Sequence, residues 1–305
     1  MTKMQSEIIT IRSVSQLHQL NGIETPTHPL ISVIDISQTE TLEEHIGFRG
    51  CLDLYVIGLK DSSCGIQYGR NHYDFDGGVL FFYAPGQVQT VVRAYRKGEI
   101  QGWMIVFHPD LVRNTHLGKT IDKYHFFGYS IHEALHLSES EQDTLTDCMK
   151  LVKREIAERV DNHSQIVISS TLELLLNHSQ RFYERQFNTR SAQNSDYVSL
   201  FENHLKSYYE ANQFKNEGIP SVEYFSNKMH LSSSYLSDLL KKETGLNAKE
   251  HINAFTIEKA KNRLLNSTDT ISEIAYELGF NYPHYFSRLF KSKTGKTPNE
   301  FRQLG

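Results

Sequence analysis

The chain has little of what marks several large protein classes. It holds three cysteines, Cys51, Cys64 and Cys148, scattered and without a CxxC pair. That removes an even-numbered disulfide framework, and fits reduced thiols in the cytoplasm. No apolar run approaches the eighteen or so residues a membrane span needs. The opening MTKMQSEIITIRSV lacks the apolar stretch of a secretory signal, so a cytoplasmic protein with no membrane partner is expected. Neither GxSxG nor GxxxxGK[ST] occurs, which removes the nucleophile elbow and the phosphate loop. Excess charge is also scarce. Residues 196–305 carry 14 Lys and Arg against 13 Asp and Glu, and the remainder carries 18 against 23, for a total of −4. A basic tilt of one charge does not establish a polyanion partner; local placement has to do so.

What is present suffices for two domains. A chain of 305 residues, 39% hydrophobic and 22% charged, has the size and composition of a soluble globular protein with more than one core. Short runs rich in Val, Ile, Tyr and Phe occur at 51–60, 64–68, 72–76, 79–83, 89–95 and 102–108. Turn residues such as Asp76-Gly77-Gly78 and Ala84-Pro85-Gly86 separate them, the pattern of a sandwich or small barrel. From Ser138 the period changes. Ser138 and Glu141 stand at capping-box spacing, and Leu145, Met149, Val152 and Ile156 recur at helical intervals. A second helix is expected over 164–187, and the polar, aperiodic 188–196 reads as a linker.

The remaining residues, 197–305, read as helical and contain a repeat. Val222, Phe225, Ser226, Met229, Leu231 and Ser232 match Ile271, Ile274, Ala275, Leu278, Phe280 and Asn281 at an offset of 49. After one extra residue, Tyr235, Leu236, Leu239, Leu240 and Gly245 match Tyr285, Phe286, Leu289, Phe290 and Gly295 at an offset of 50. In the second copy Asp269 or Thr270 caps a short helix, Gly279 makes the turn, and Asn281 caps the next helix, which stops at Gly295 and Pro298. In the first copy Ser232 is the cap, Gly245 the stop, and His230 takes the place of Gly279. Two short helices joined by a tight turn form a helix-turn-helix, here expected at about 221–245 and 270–295, with a helix over 249–265 between them.

If the second helix of each copy enters a major groove, its early exposed residues face base edges. These are Ser233, Ser234, Ser237 and Asp238 in the first copy, with Lys241 and Lys242 further along. In the second they are Tyr282, Pro283, His284, Ser287 and Arg288, with Lys291 and Lys293 further along. Arg288 suits guanine O6 and N7, whereas the lysines suit phosphates. Ordinary short helices with solvated polar faces would show the same residue types in one copy. Two copies in register argue against that.

Residues 197–305 resemble the DNA-binding domain of AraC-type transcriptional regulators, with its two helix-turn-helix motifs. The resemblance rests on Ile274-Ala275, Gly279-Phe280, Tyr285-Phe286-Ser287-Arg288, Phe290-Lys291, Gly295, Pro298 and Phe301-Arg302. The first motif departs from the pattern at Ser226, Asp238 and Thr256. Residues 77–91 resemble the second motif of cupin barrels, with Gln89 where a metal-binding His would stand. No HxH pair precedes residue 78, His72 is alone and His28 is isolated, whereas zinc or iron needs three or four converging ligands. The fold class expected is therefore multidomain α+β: a cupin-like β-barrel over 1–137 with a helical pair at 138–187, then an all-α domain with two helix-turn-helix motifs. No catalytic residue, cofactor or metal is expected.

The resemblance implies double-stranded DNA and RNA polymerase as partners, a small-molecule effector in the N-terminal domain, and a homodimer formed through 138–187. Tyr55, Tyr73, Phe82 and Trp103 lie on strand-like runs and are candidates to line an effector cavity, or else simply fill the barrel. The competing reading is a metal-dependent cupin enzyme with an accessory helical domain. A stoichiometric bound metal would separate the two.

Overall fold

The computed structural model describes residues 8–61, 75, 77–158, 161 and 163–303. They form two compact units, divided between Thr189 and Arg190.

The N-terminal unit has two sheets. Strands β1 (Ile8–Ile11), β3 (Arg49–Leu52) and β6 (Gln87–Thr90) form one, in the order β1-β3-β6. Strands β2 (Ile31–Asp35), β4 (Tyr55–Lys60), β5 (Gly78–Tyr83), β7 (Gly102–Phe107) and β8 (Leu135–Leu137) form the other, antiparallel, in the order β2-β7-β4-β5-β8. Helix α1 (Val14–Leu20) follows β1, and the short α2 (His116–Thr120) follows β7. The larger sheet is apolar on both faces because both are covered. Val56, Val79, Phe81 and Val106 join Ile11, Val14 and Leu17 in one core. The opposite face meets α3 (Glu139–Ala157) and α4 (Ser164–Thr189), which pack against each other.

Several local expectations have direct counterparts. Ser138 and Glu141 make the capping box that opens α3. The run 51–60 is two strands, β3 and β4, and 89–95 is strand only to Thr90, beyond which Val92 is exposed. Strands β1, β2 and β8 had not been anticipated; each is five residues or fewer, too short for a two-residue period to stand out. The runs at 64–68 and most of 72–76 lie outside the described residues.

The C-terminal unit is all helical: α5 (Ser191–Glu210), α6 (Phe214–Glu217), α7 (Val222–Lys228), α8 (Ser233–Thr244), α9 (Ala248–Asn266), α10 (Ile271–Glu277), α11 (Pro283–Thr294) and α12 (Pro298–Arg302). The expected linker at 188–196 is replaced by helix: α4 runs to Thr189 and α5 starts at Ser191. Apolar periodicity missed this because the first turns of α5 bury a polar residue. Asn194 is 1% exposed and donates to Glu243 Oε1 at 3.1 Å.

Two cores sit side by side in this unit. Phe201, Tyr208 and Tyr209 of α5 pack with Phe225, Leu236, Leu240 and Ile252. Ile257, Ala260 and Leu264 pack with Ile274, Leu278, Phe286 and Phe290. Helix α9 therefore belongs to both, its first half to one core and its second half to the other. Between them lies Thr256, fully buried. Its hydroxyl donates to Ile252 O at 2.8 Å, so the 2.6 Å contact with Tyr209 must have the tyrosine as donor. Burial raises the Tyr209 pKa above its usual value. Thr256→Val should leave the Tyr209 hydroxyl unpaired and lower stability by about 1–2 kcal/mol, read as a reduced urea midpoint at unchanged slope.

Candidate nucleic-acid interface

Each repeat copy is a helix pair, α7–α8 and α10–α11, and equivalent residues do equivalent work. Phe225, Met229, Leu236 and Leu240 in the first correspond to Ile274, Leu278, Phe286 and Phe290 in the second, all buried. The turns are built alike but from different residues. Gly279 has φ +88° and His230 has φ +56°, so both enter the left-handed region that one residue can occupy at little cost and the other cannot.

The second helices start differently. Ser232 caps α8 by accepting from Tyr235 N at 3.1 Å. Asn281 does not cap α11; Tyr282 holds that position and makes no side-chain cap. The cause is Pro283 at the first helical position, which forces the preceding residue into extended geometry. Both helices stop on a left-handed glycine, Gly245 at φ +81° and Gly295 at φ +76°. Arg302 of α12 ties down the end of α9, donating to Leu264 O at 3.3 Å and to Asp269 O at 2.6 Å.

The candidates on α8 are mostly half-buried. Ser233, Ser234, Ser237 and Asp238 have intermediate exposure, and of these candidates only Lys241 and Lys242 are exposed. Ser233 has an internal contact, its hydroxyl 3.0 Å from Ser226 Oγ. Ser226 is 2% exposed, so the pair satisfies a hydroxyl where the second copy has Ala275.

The candidates on α11 are more open. Tyr282, His284, Arg288 and Lys291 are exposed, and Pro283 and Ser287 are half-buried. Tyr285, the repeat counterpart of Tyr235 and part of the Tyr285-Phe286-Ser287-Arg288 motif, is not among the residues the sequence points toward DNA. It is 48% exposed, whereas Tyr235 is 4% exposed. The Arg288 guanidinium carbon lies 5.2 Å from the centre of the Tyr285 ring. Tyr285 in turn stands 4.3 Å from the His284 ring and 5.8 Å from Tyr282. A cation held over an aromatic face starts with fewer conformations to lose on binding.

In the N-terminal unit, alternation and register place Tyr55, Phe82 and Trp103 on one face of the large sheet, the face closed by helices. Tyr55 stacks on Phe107 with ring centres 5.1 Å apart, Phe82 packs against Phe126 and Phe127, and Trp103 Nε1 donates to Thr146 in α3. They are packing residues here, and none lines either of two clefts of this unit, one of about 400 Å³ on the β1-β3-β6 sheet and one of about 600 Å³ between α1, β2 and α3. Tyr73 lies outside the described residues. Among the described residues no three His, Cys, Asp or Glu side chains converge to hold a metal, and no helix is long and apolar enough to cross a membrane.

Residues 225–304 match a family model described as a helix-turn-helix domain. A helix-turn-helix-type transcriptional regulator encoded in the cgkA 5′ region of Pseudoalteromonas carrageenovora is 35% identical over 96 residues, 32% of this chain and 55% of the relative. The transcriptional activator RhaS of Escherichia fergusonii is 35% identical over 83 residues, 27% of this chain and 30% of the relative. Among solved structures, the C-terminal domain of the two-component response regulator yesN from Fusobacterium nucleatum is 31% identical, with 34% of this chain and 96% of that chain covered and a TM-score of 0.31. The chain thus spans about half or less of the length of these curated relatives.

Proposed function

We propose that the chain is an AraC-type transcriptional regulator that reads a specific DNA site with α11 as the principal recognition helix and α8 as its partner, a reading supported by the helix-turn-helix domain matched over 225–304. The exposed face of α11, with Arg288 over Tyr285 and Lys291 one turn on, carries this reading. Arg288 takes guanine O6 and N7, and Lys291 takes a phosphate that fixes position. Helix α8 carries Asp238 at the position of Arg288, which repels phosphate, so its work is mainly positional, through Lys241 and Lys242. The N-terminal unit, with two facing apolar layers and a cupin-like motif at 77–91, is the effector half. Dimerisation through α3 and α4 and contact with RNA polymerase complete the reading expected for this family.

The test is selection from a random duplex library with the full chain, followed by footprinting. Two protected major-groove segments should appear, centred about 10 bp apart, the more strongly selected one containing a guanine. Failure to enrich any sequence at low salt would overturn the assignment.

A further inference from the structure

The cleft on the β1-β3-β6 sheet holds none of the residues assigned to DNA, and its construction is specific. Ile11 of β1, Gly50 and Leu52 of β3, and Gln89 of β6 stand at alternating positions and share one face of the sheet as its floor. Gly50 pairs directly with Gln89, so the middle strand contributes no side chain there. A Cβ at Gly50 would come 3.3 Å from Phe48 Cε1, itself a lining atom group. Leu17 and Leu20 of α1 add one set of apolar contacts, and Leu42 and Phe48 of the β2–β3 connection add another. Leu20 and Leu42 remain 48% and 47% exposed, apolar surface left open at the cleft.

The polar lining is sparse and of one sign. Glu40 is the lining carboxylate, and no Lys or Arg lines the cleft among the described residues. His45, the other titratable lining group, stands 3.9 Å from Glu44. A carboxylate or phosphate ligand would meet Glu40 with only a histidine already beside a carboxylate to offset it. A protonated amine would meet a carboxylate at the edge of an apolar bed. The Gln89 side chain makes no hydrogen bond to another described residue, which leaves an amide on the floor for a ligand donor or acceptor. About 400 Å³ lies within the range of small-molecule sites.

We propose that this cleft binds a small lipophilic amine, its apolar body on the Ile11–Leu52 floor and its cation at Glu40. The proposal rests on the reading of the N-terminal unit as the effector half, and gives that effector a site and a chemical class.

Titration calorimetry on the full chain at pH 7.5, without DNA, compares 4-phenylbutylamine, 4-phenylbutanol and 4-phenylbutyrate. The amine should bind saturably at one site, the alcohol about fivefold or more weakly, and the acid not at all. Glu40→Gln should bring the amine to the level of the alcohol and leave the alcohol unchanged. Gly50→Leu should abolish binding of both. Leu20→Trp, at a half-exposed position that tolerates bulk without disturbing the core, should do the same. Equal binding of acid and amine, an amine affinity untouched by Glu40→Gln, or no saturable amine binding would each overturn the proposal. Because DNA is absent from the measurement, a chain that selects its DNA site yet fails to bind the amine refutes the cleft and leaves the regulator reading standing.

Discussion

Replacing Arg288 by alanine should weaken binding to the selected site by about 1–3 kcal/mol, a loss of roughly five- to 150-fold. The loss should be confined to one position of the site. Competition between the selected duplex and point variants of it would show the preference for guanine at that position gone and the others intact. A phosphate contact behaves differently, since its removal weakens cognate and random DNA alike and lowers the salt slope by about one. Equal loss on both duplexes would therefore move Arg288 from reading to positioning. Tyr285→Ala gives a graded version of the same experiment. It frees the guanidinium without removing it, so specificity should persist while affinity falls by about 0.5–1 kcal/mol.

Gly279→Ala should be the most damaging small substitution in the C-terminal unit. Two costs coincide at this residue. Its φ of +88° disfavours any side chain, and an added Cβ would lie 2.8 Å from Gly218 C and 2.9 Å from Ile219 N. Backbone atoms cannot swing aside, so the segment entering the first helix pair would have to move. Together these should cost about 2–4 kcal/mol and lower the thermal midpoint by several degrees. His230→Gly at the equivalent turn relaxes a left-handed residue, and its effect should stay within about 1 kcal/mol of neutral. If both substitutions had the same effect, the close approach to Gly218 would not be what distinguishes the turns.

Much of the C-terminal unit was legible because its signals are local. The repeat fixes which apolar residues face inward, and Ser232, Thr270, Gly245 and Gly295 mark helix ends through hydrogen bonds and backbone conformations made within a few residues. What escaped depended on contacts distant in sequence. Asn194 is buried through Glu243, and Tyr285 is exposed although its counterpart Tyr235 is not. In the N-terminal unit the aromatics of the strands were visible, but which of them pack and which line a cleft depends on what covers each face. Alternation assigns Tyr55, Phe82 and Trp103 to one face without saying that α3 and α4 close it. The cleft itself is framed by a glycine and by a connection with little regular structure, neither of which carries a periodic signal.

Helix α9 has a further consequence. Its 19 residues span about 28 Å and are anchored in a separate core at either end. On the proposed reading, the pitch at which the two helix pairs meet DNA is thus written as a residue count. One added base pair advances the target by about 3.4 Å and rotates it about the duplex axis. A rod clamped at both ends has no joint with which to follow, so if both helix pairs read DNA as proposed, the operator spacing is a ruler setting that changes only when the helix is recut.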